Sequence, residues 1–164
     1  MKLSMSVLLG VLLFGAAARG QDPGKDEIGT VKTELIFGTD GELEALGPKA
    51  KELRGAELER LRKSKNIPKF KLFARLGSDT QPILRGYKNW AAPLAGSKAI
   101  MVTFQPQGVV GNKLRMDLEL WQKKEMVMRA DPTLDRGERV YILGPKWRGG
   151  RLIIRVQLVS LRDK

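Results

Sequence analysis

The sequence predicts a mainly β protein, an antiparallel sandwich with a barrel as the alternative, of about eight strands and one amphipathic helix near the N-terminus. Three observations carry that expectation. Runs of alternating apolar and polar residues recur from Thr30 to the C-terminus, the period of half-buried strands. Gly, Pro, Asn and Asp punctuate them at short intervals, with the turn chemistry of hairpins. Only the stretch around residues 43–61 changes to a helical period.

The first twenty residues stand apart. Met1-Lys2 is a positive start, Val7 to Phe14 is apolar apart from Gly10, and small residues follow through Gly20. That order describes a secretory signal peptide over residues 1–20, with cleavage before Gln21 or, alternatively, after Ala18. The apolar run is shorter than the about 20 residues of a membrane span. The expectation is an exported protein, periplasmic or secreted. Gln21 to Gly29 contains Pro23 and Gly24 and is expected as a flexible lead-in to a single β-rich domain over 30–164.

"TVKTELIFG" (Thr30 to Gly38) sets Val31, Thr33, Leu35 and Phe37 against Lys32, Glu34 and Ile36, a strand closed by the turn residues of "GTDGE". Leu43, Leu46, Ala50, Leu53, Leu58 and Leu61 then share one helical face. Gly47-Pro48 interrupts it, so the main helix is expected over about 48–64, with Pro48 in its first turn. Gly55 weakens its middle, and Asn66-Ile67-Pro68 ends it. Arg60, Arg62, Lys63 and Lys65 cluster at the C-terminal end, where cations complement the helix dipole.

Strands follow. "KFKLFARL" sets Phe70, Leu72, Ala74 and Leu76 against Lys69, Lys71, Phe73 and Arg75. "QPILRGY" is a separate short strand, at an edge because of Pro82. Asn89 to Gly96 is expected as a loop, Ser97 to Gln105 as extended, and Pro106 to Gly111 as a turn. "NKLRMDLELW" alternates most cleanly: Leu114, Met116, Leu118 and Leu120 oppose Arg115, Asp117, Glu119 and Trp121. "EMVMRA", a loop over Asp131 to Gly137, "ERVYILG" and "RLIIRVQLVSL" complete the chain.

This order of signal peptide, strand ending in Gly38-Thr39-Asp40, Leu/Lys-rich helix, "KFKLF" strand and antiparallel run resembles small exported bacterial β-sandwich proteins of uncharacterised function. The resemblance implies a sandwich in the bacterial envelope and brings no functional residue with it.

Composition narrows the chemistry. The chain has no His and no Cys, which removes Ser-His-Asp and Cys-His machinery, zinc ribbons and iron–sulfur clusters. Asp117 and Glu119 share a strand face and are the best carboxylate pair for hydrolysis of a glycan or for a hard cation. The simpler account pairs them with Arg115 or a cross-strand cation such as Arg155. Asp131, Asp135 and Glu138 do not match a calcium loop. Ser64, Ser78 and Ser97 lack nucleophile context, and Gly108 to Lys113 lacks Walker spacing. The expectation is a protein that is not an enzyme and uses no metal or cofactor.

Charge points to binding. The formal net charge is +12, and loss of Lys2 and Arg19 with the signal makes it +10. Gln21 to Pro48 holds two basic and seven acidic residues, a net of −5; Lys49 to Arg75 holds ten basic and three acidic, a net of +7. Such a balance favours polyanionic partners: phospholipid head groups, acidic glycans or acidic proteins of the envelope. A nucleic-acid-binding barrel is the second reading, weakened by the signal peptide and by Phe70 and Phe73 facing opposite sides.

The named surface is "KWRGGR". Val140 and Ile142 alternate ahead of it, and Leu152, Ile154, Val156 and Leu158 behind it, with Arg155 and Gln157 outward. Gly144 to Gly150 is therefore a hairpin connection in which Gly149-Gly150 supplies positive backbone angles. Lys146, Trp147, Arg148 and Arg151 place one ring among three cations, which is either turn alone or a grip on anionic or sugar ligands. Tyr87, Lys88 and Trp90 raise the same question in a second loop.

Overall fold

One strand, residues 27–39, runs through the middle of the molecule and is buried along nearly all its length. The computed structural model describes residues 22–94 and 99–162; the expected signal peptide lies outside the described residues. In chain order the elements are β1 (Glu27–Thr39), β2 (Lys51–Glu52), the helix α1 (Gly55–Lys63), β3 (Leu72–Leu84), β4 (Asn89–Ala91), β5 (Ile100–Val110), β6 (Lys113–Gln122), β7 (Glu125–Ala130), β8 (Thr133–Asp135), β9 (Arg139–Trp147) and β10 (Gly150–Leu161). They form two antiparallel sheets packed as a sandwich: β2-β3-β1-β10-β9, and β4-β5-β6-β7 with β8 on the other half of β6's free edge. The sandwich, not the barrel, is the architecture.

The alternation on β6 is the backbone of the main core. Leu114, Met116, Leu118 and Leu120 all point inward and meet Val31, Leu35 and Phe37 of β1 and Leu152, Ile154, Val156 and Leu158 of β10. Burying aliphatic side chains on two facing sheets supplies the main driving force in a chain that has no disulfide to assist it.

Five boundaries differ from the sequence expectation. β1 starts at Glu27, and Pro23–Lys25 forms a 3-10 turn, because the Asp22 carboxylate accepts from Gly24 N at 2.9 Å and from the Tyr87 hydroxyl at 2.6 Å. The two strands expected within 69–87 are one, β3. Asn89–Ala91 and Thr133–Asp135, expected within loops, pair with β5 and β6. β5 runs past Pro106 through a bulge, so the turn is Gly111-Asn112, with Gly111 at φ +58°.

The helix is the largest correction. It spans Gly55–Lys63, not 48–64. Arg54 is extended and Gly55 takes φ +58°, a left-handed value that breaks any helix arriving from Pro48 and is cheap only for glycine. The residues before it pair with β3 as β2. The leucines that fit one helical face serve two cores instead. Leu46 packs on the main core, whereas Leu53, Leu58 and Leu61 pack on a second one formed with Ile36, Phe73 and Ile153 on the outer face of the first sheet.

Phe70 and Phe73 belong to that second core and do not face opposite sides: their rings meet edge to face at 5.9 Å. β3 begins only at Leu72, so the alternation expected from Lys69 does not apply to Phe70. Phe73 is buried, which leaves it no surface on which a base could stack.

Beside this core lies a buried ion network. Glu34 of β1 is 1% exposed and Arg155 of β10 is 5% exposed. The Arg155 guanidinium contacts Glu34 and also Glu57 of α1. Arg75 of β3 donates to Glu34 at 2.9 Å, and Lys32 lies 3.2 Å from it. Arg155 therefore sits on the sheet opposite Asp117 and Glu119 and is not their partner. Burial lowers its pKa from the ordinary arginine value, and burial, then Arg75 and Arg155, lower that of Lys32.

Removing Arg155 leaves Glu34 only its partly exposed cations, Arg75 and Lys32. Arg155→Met is expected to cost about 1–3 kcal/mol in urea unfolding. Adding Glu34→Leu to it is expected to recover most of that loss, and a double variant as unstable as the single one would contradict the assignment.

Candidate functional site

The hairpin at "KWRGGR" is tighter than the sequence implies. β9 runs on to Trp147 and β10 starts at Gly150, so the connection is Arg148-Gly149 alone, with φ of 44° and 76°. Two consecutive positive φ values are the type I′ arrangement that matches strand twist. Gly150 is not at positive φ. A side chain there would meet the Gly38 carbonyl and the Phe37 ring, so glycine is needed for close approach of β10 to β1.

Trp147 is the pivot of the site. Its ring stands edge to face on Phe37, centroids 5.0 Å apart, and packs against the main core. The Arg148 guanidinium carbon lies 4.6 Å from the ring centroid, a cation–π contact that holds the charge at the hairpin tip. Arg151 donates Nε to the Gly144 carbonyl at 2.7 Å and braces the hairpin. Lys146 is exposed. The four expected residues do converge: with Pro68 and Phe70 they line a surface concavity of about 600 Å³. Among the described residues no carboxylate lines it, and Lys146, Arg148 and Arg151 form no ion pair.

Behind the same tryptophan is a second space. A cavity of about 420 Å³ opens between the two sheets, with Trp147, Leu35, Leu76 and Leu152 among its walls and Lys49 and Lys123 at its rim. Sequence reasoning missed it. Residues 46–50, 76, 122–123 and 147 are brought together only by the packing of the two sheets, and no local pattern signals that.

Asp117 and Glu119 lie on the outer face of the second sheet, both nearly buried. Arg129 grips Asp117 with two hydrogen bonds of 2.8 and 2.7 Å. Glu119 accepts from Lys88 Nζ at 2.9 Å, Thr103 Oγ1 at 2.8 Å and Trp121 Nε1 at 3.0 Å. The Lys88 bond, with those from Thr103 and Trp121, outweighs burial and lowers the Glu119 pKa. Each carboxylate is occupied by cross-strand donors, as the simpler sequence account has it, but those donors are Arg129 and Lys88. No cluster of His, Cys, Asp or Glu able to hold a metal occurs among the described residues.

The second aromatic stretch does not join the first. Tyr87 binds Asp22, ahead of the start of β1, whereas the hairpin tip flanks Gly38 near its other end. Thirteen extended residues separate the two ends by roughly 40 Å. Trp90 stands on β4 opposite Thr103.

Comparison with protein-family models, with curated proteins and with solved structures finds no match for the chain.

Because the pKa of Glu119 is lower in the folded protein than in the unfolded chain, its contribution is complete above the ordinary carboxylate range. It is lost as pH falls through the lowered folded value. Glu119→Gln is expected to reduce stability by about 1 kcal/mol near neutral pH, with the gap closing in acid. A gap that stays constant from pH 7 to pH 2 in urea titrations would contradict this.

Proposed function

We propose that the protein is an exported, non-catalytic binding module that docks on an anionic lipid surface of the bacterial envelope through its β9–β10 end. The observation that carries this reading is the concavity at the hairpin tip: three cations around Trp147 and Phe70, with no carboxylate among the described residues of its lining. Cations near an anionic surface each add attraction of about 1 kcal/mol, and tryptophan favours the boundary between apolar and polar phases. The tip is held rigidly by a two-residue turn and the Phe37 contact, so little ordering is required on binding. The basic net charge supports approach to such a surface at long range.

The test is cosedimentation of residues 21–164 with vesicles of phosphatidylglycerol and phosphatidylcholine at low and high salt. Binding is expected to need the anionic lipid and to weaken with salt. Neutralising Lys146, Arg148 and Arg151 to Gln is expected to weaken it on the order of 100-fold. Wild-type protein that ignores the vesicles, or a variant that binds as well, would refute the reading. Preference for an acidic polysaccharide or single-stranded DNA in parallel assays would replace the lipid surface with that partner.

A further inference from the structure

The cavity between the sheets has no role in docking at the hairpin tip, yet it is built unlike the rest of the core. Protein interiors leave few voids larger than a water molecule. This one is about 420 Å³, within the range of small-molecule sites, about 300–1,000 Å³. Leu35 and Leu152 form its floor and are buried, while Leu46, Leu76, Leu94 and Trp147 pack on the core only in part. These side chains present apolar surface to one another across an open space, and an apolar cavity of this kind favours an apolar occupant over water.

The rim is different in kind. Lys49, Lys123 and Gln122 border the opening. Lys49 and Lys123 are exposed and form no ion pair among the described residues. Lys123 is held there by the β6–β7 turn, where it takes φ 48° and donates its backbone N–H to the Ala99 carbonyl at 3.0 Å. Lys49 comes from the segment just ahead of β2, where Ala50 N bonds the Gly47 carbonyl at 3.1 Å. Among the described residues no carboxylate borders the cavity.

An apolar interior with two unpaired ammonium groups and an amide at its mouth is complementary to one kind of molecule. We infer that the cavity binds a single acyl chain that carries an anionic head, the chain lying among Leu35, Leu76, Leu152 and Trp147 and the head meeting Lys49 and Lys123. A carboxylate or a phosphate head satisfies the same donors. The inference goes beyond docking on a surface and does not rest on it, because the residues at the rim are not those at the hairpin tip. Trp147 alone is shared, one side facing each space.

The test is calorimetric titration of the folded protein with decanoate, dodecanoate and tetradecanoate below their micelle concentrations, beside dodecanol and a lysophosphatidylglycerol. Affinity is expected to rise about fourfold with each added methylene, and dodecanoate to bind at least tenfold more tightly than dodecanol. Comparison of the fatty acid with the lysophospholipid distinguishes the free acid from the membrane-derived source. Ala50→Trp, which fills the opening from a loop outside the regular strands, is expected to abolish binding with an unchanged melting temperature. Leu46→Trp provides the same block should the first variant fold poorly. Lys49→Gln with Lys123→Asn is expected to remove the preference for the acid while leaving the dependence on chain length.

No heat with any of these ligands would overturn the inference. So would affinity indifferent to chain length, or full binding by both blocked variants. Neutralising Lys146, Arg148 and Arg151 is expected to leave acyl-chain binding intact, and Ala50→Trp to leave adhesion to vesicles intact, so the two readings fail separately.

Discussion

The contact between Glu34 and Arg155 sets the terms for the rest of the structure. β1 and β10 are the central strands of the first sheet, and one face of each already belongs to the core shared with the second sheet. Their other face carries Ile36 and Ile153, joined by Phe73 of β3, on one side and Glu34 with Arg155 on the other. An apolar patch and a charge pair side by side on one face both need cover. α1 supplies it, laying Leu58 and Leu61 on the patch and reaching Arg155 and Arg75 with Glu57. The short helix and the two-residue strand ahead of it are what the outer face of this sheet requires.

The outer face of the second sheet is occupied by its own pairs, Arg129 with Asp117 and Lys88 with Glu119, whose carboxylates are already taken by cross-strand donors. At the end where β9 and β10 turn, the balance of charge changes. Trp147 stands between an open cationic concavity and an apolar cavity with a basic rim. The two proposals share this wall, one setting anionic head groups and the other an acyl chain against Trp147.

The fold was legible where one strand face met one core. The alternation of Leu114 to Leu120 and of Leu152 to Leu158 gave the inner faces correctly, because period two assigns alternate residues to opposite faces of a strand. It failed where both sides are buried: Ile36, Ile153 and Arg155 all lie on a covered outer face, and nothing local distinguishes them from residues facing water. The helix failed for a related reason. Leucines at helical spacing answer to two cores, Leu46 to one and Leu53, Leu58 and Leu61 to the other, and Gly55 starts the helix only after the chain has passed from the first to the second. At the site, the identities and clustering of Lys146, Trp147, Arg148 and Arg151 were readable from the sequence, and so was the question of where the tryptophan goes. Its answer, Phe37, lies more than a hundred residues away in the chain. Lys49, Lys123 and the cavity they border exist only through the meeting of the two sheets.

The central claim is that ligands meet this protein at the Trp147 end. The most direct measurement is amide hydrogen exchange of residues 21–164, free and with phosphatidylglycerol vesicles or dodecanoate. The account predicts slowed exchange confined to peptides covering residues 46–51, 122–124 and 144–152, with α1, β7 and the segment around Tyr87 unchanged. Protection centred on α1 or on the β7 edge, with none around Trp147, would contradict it.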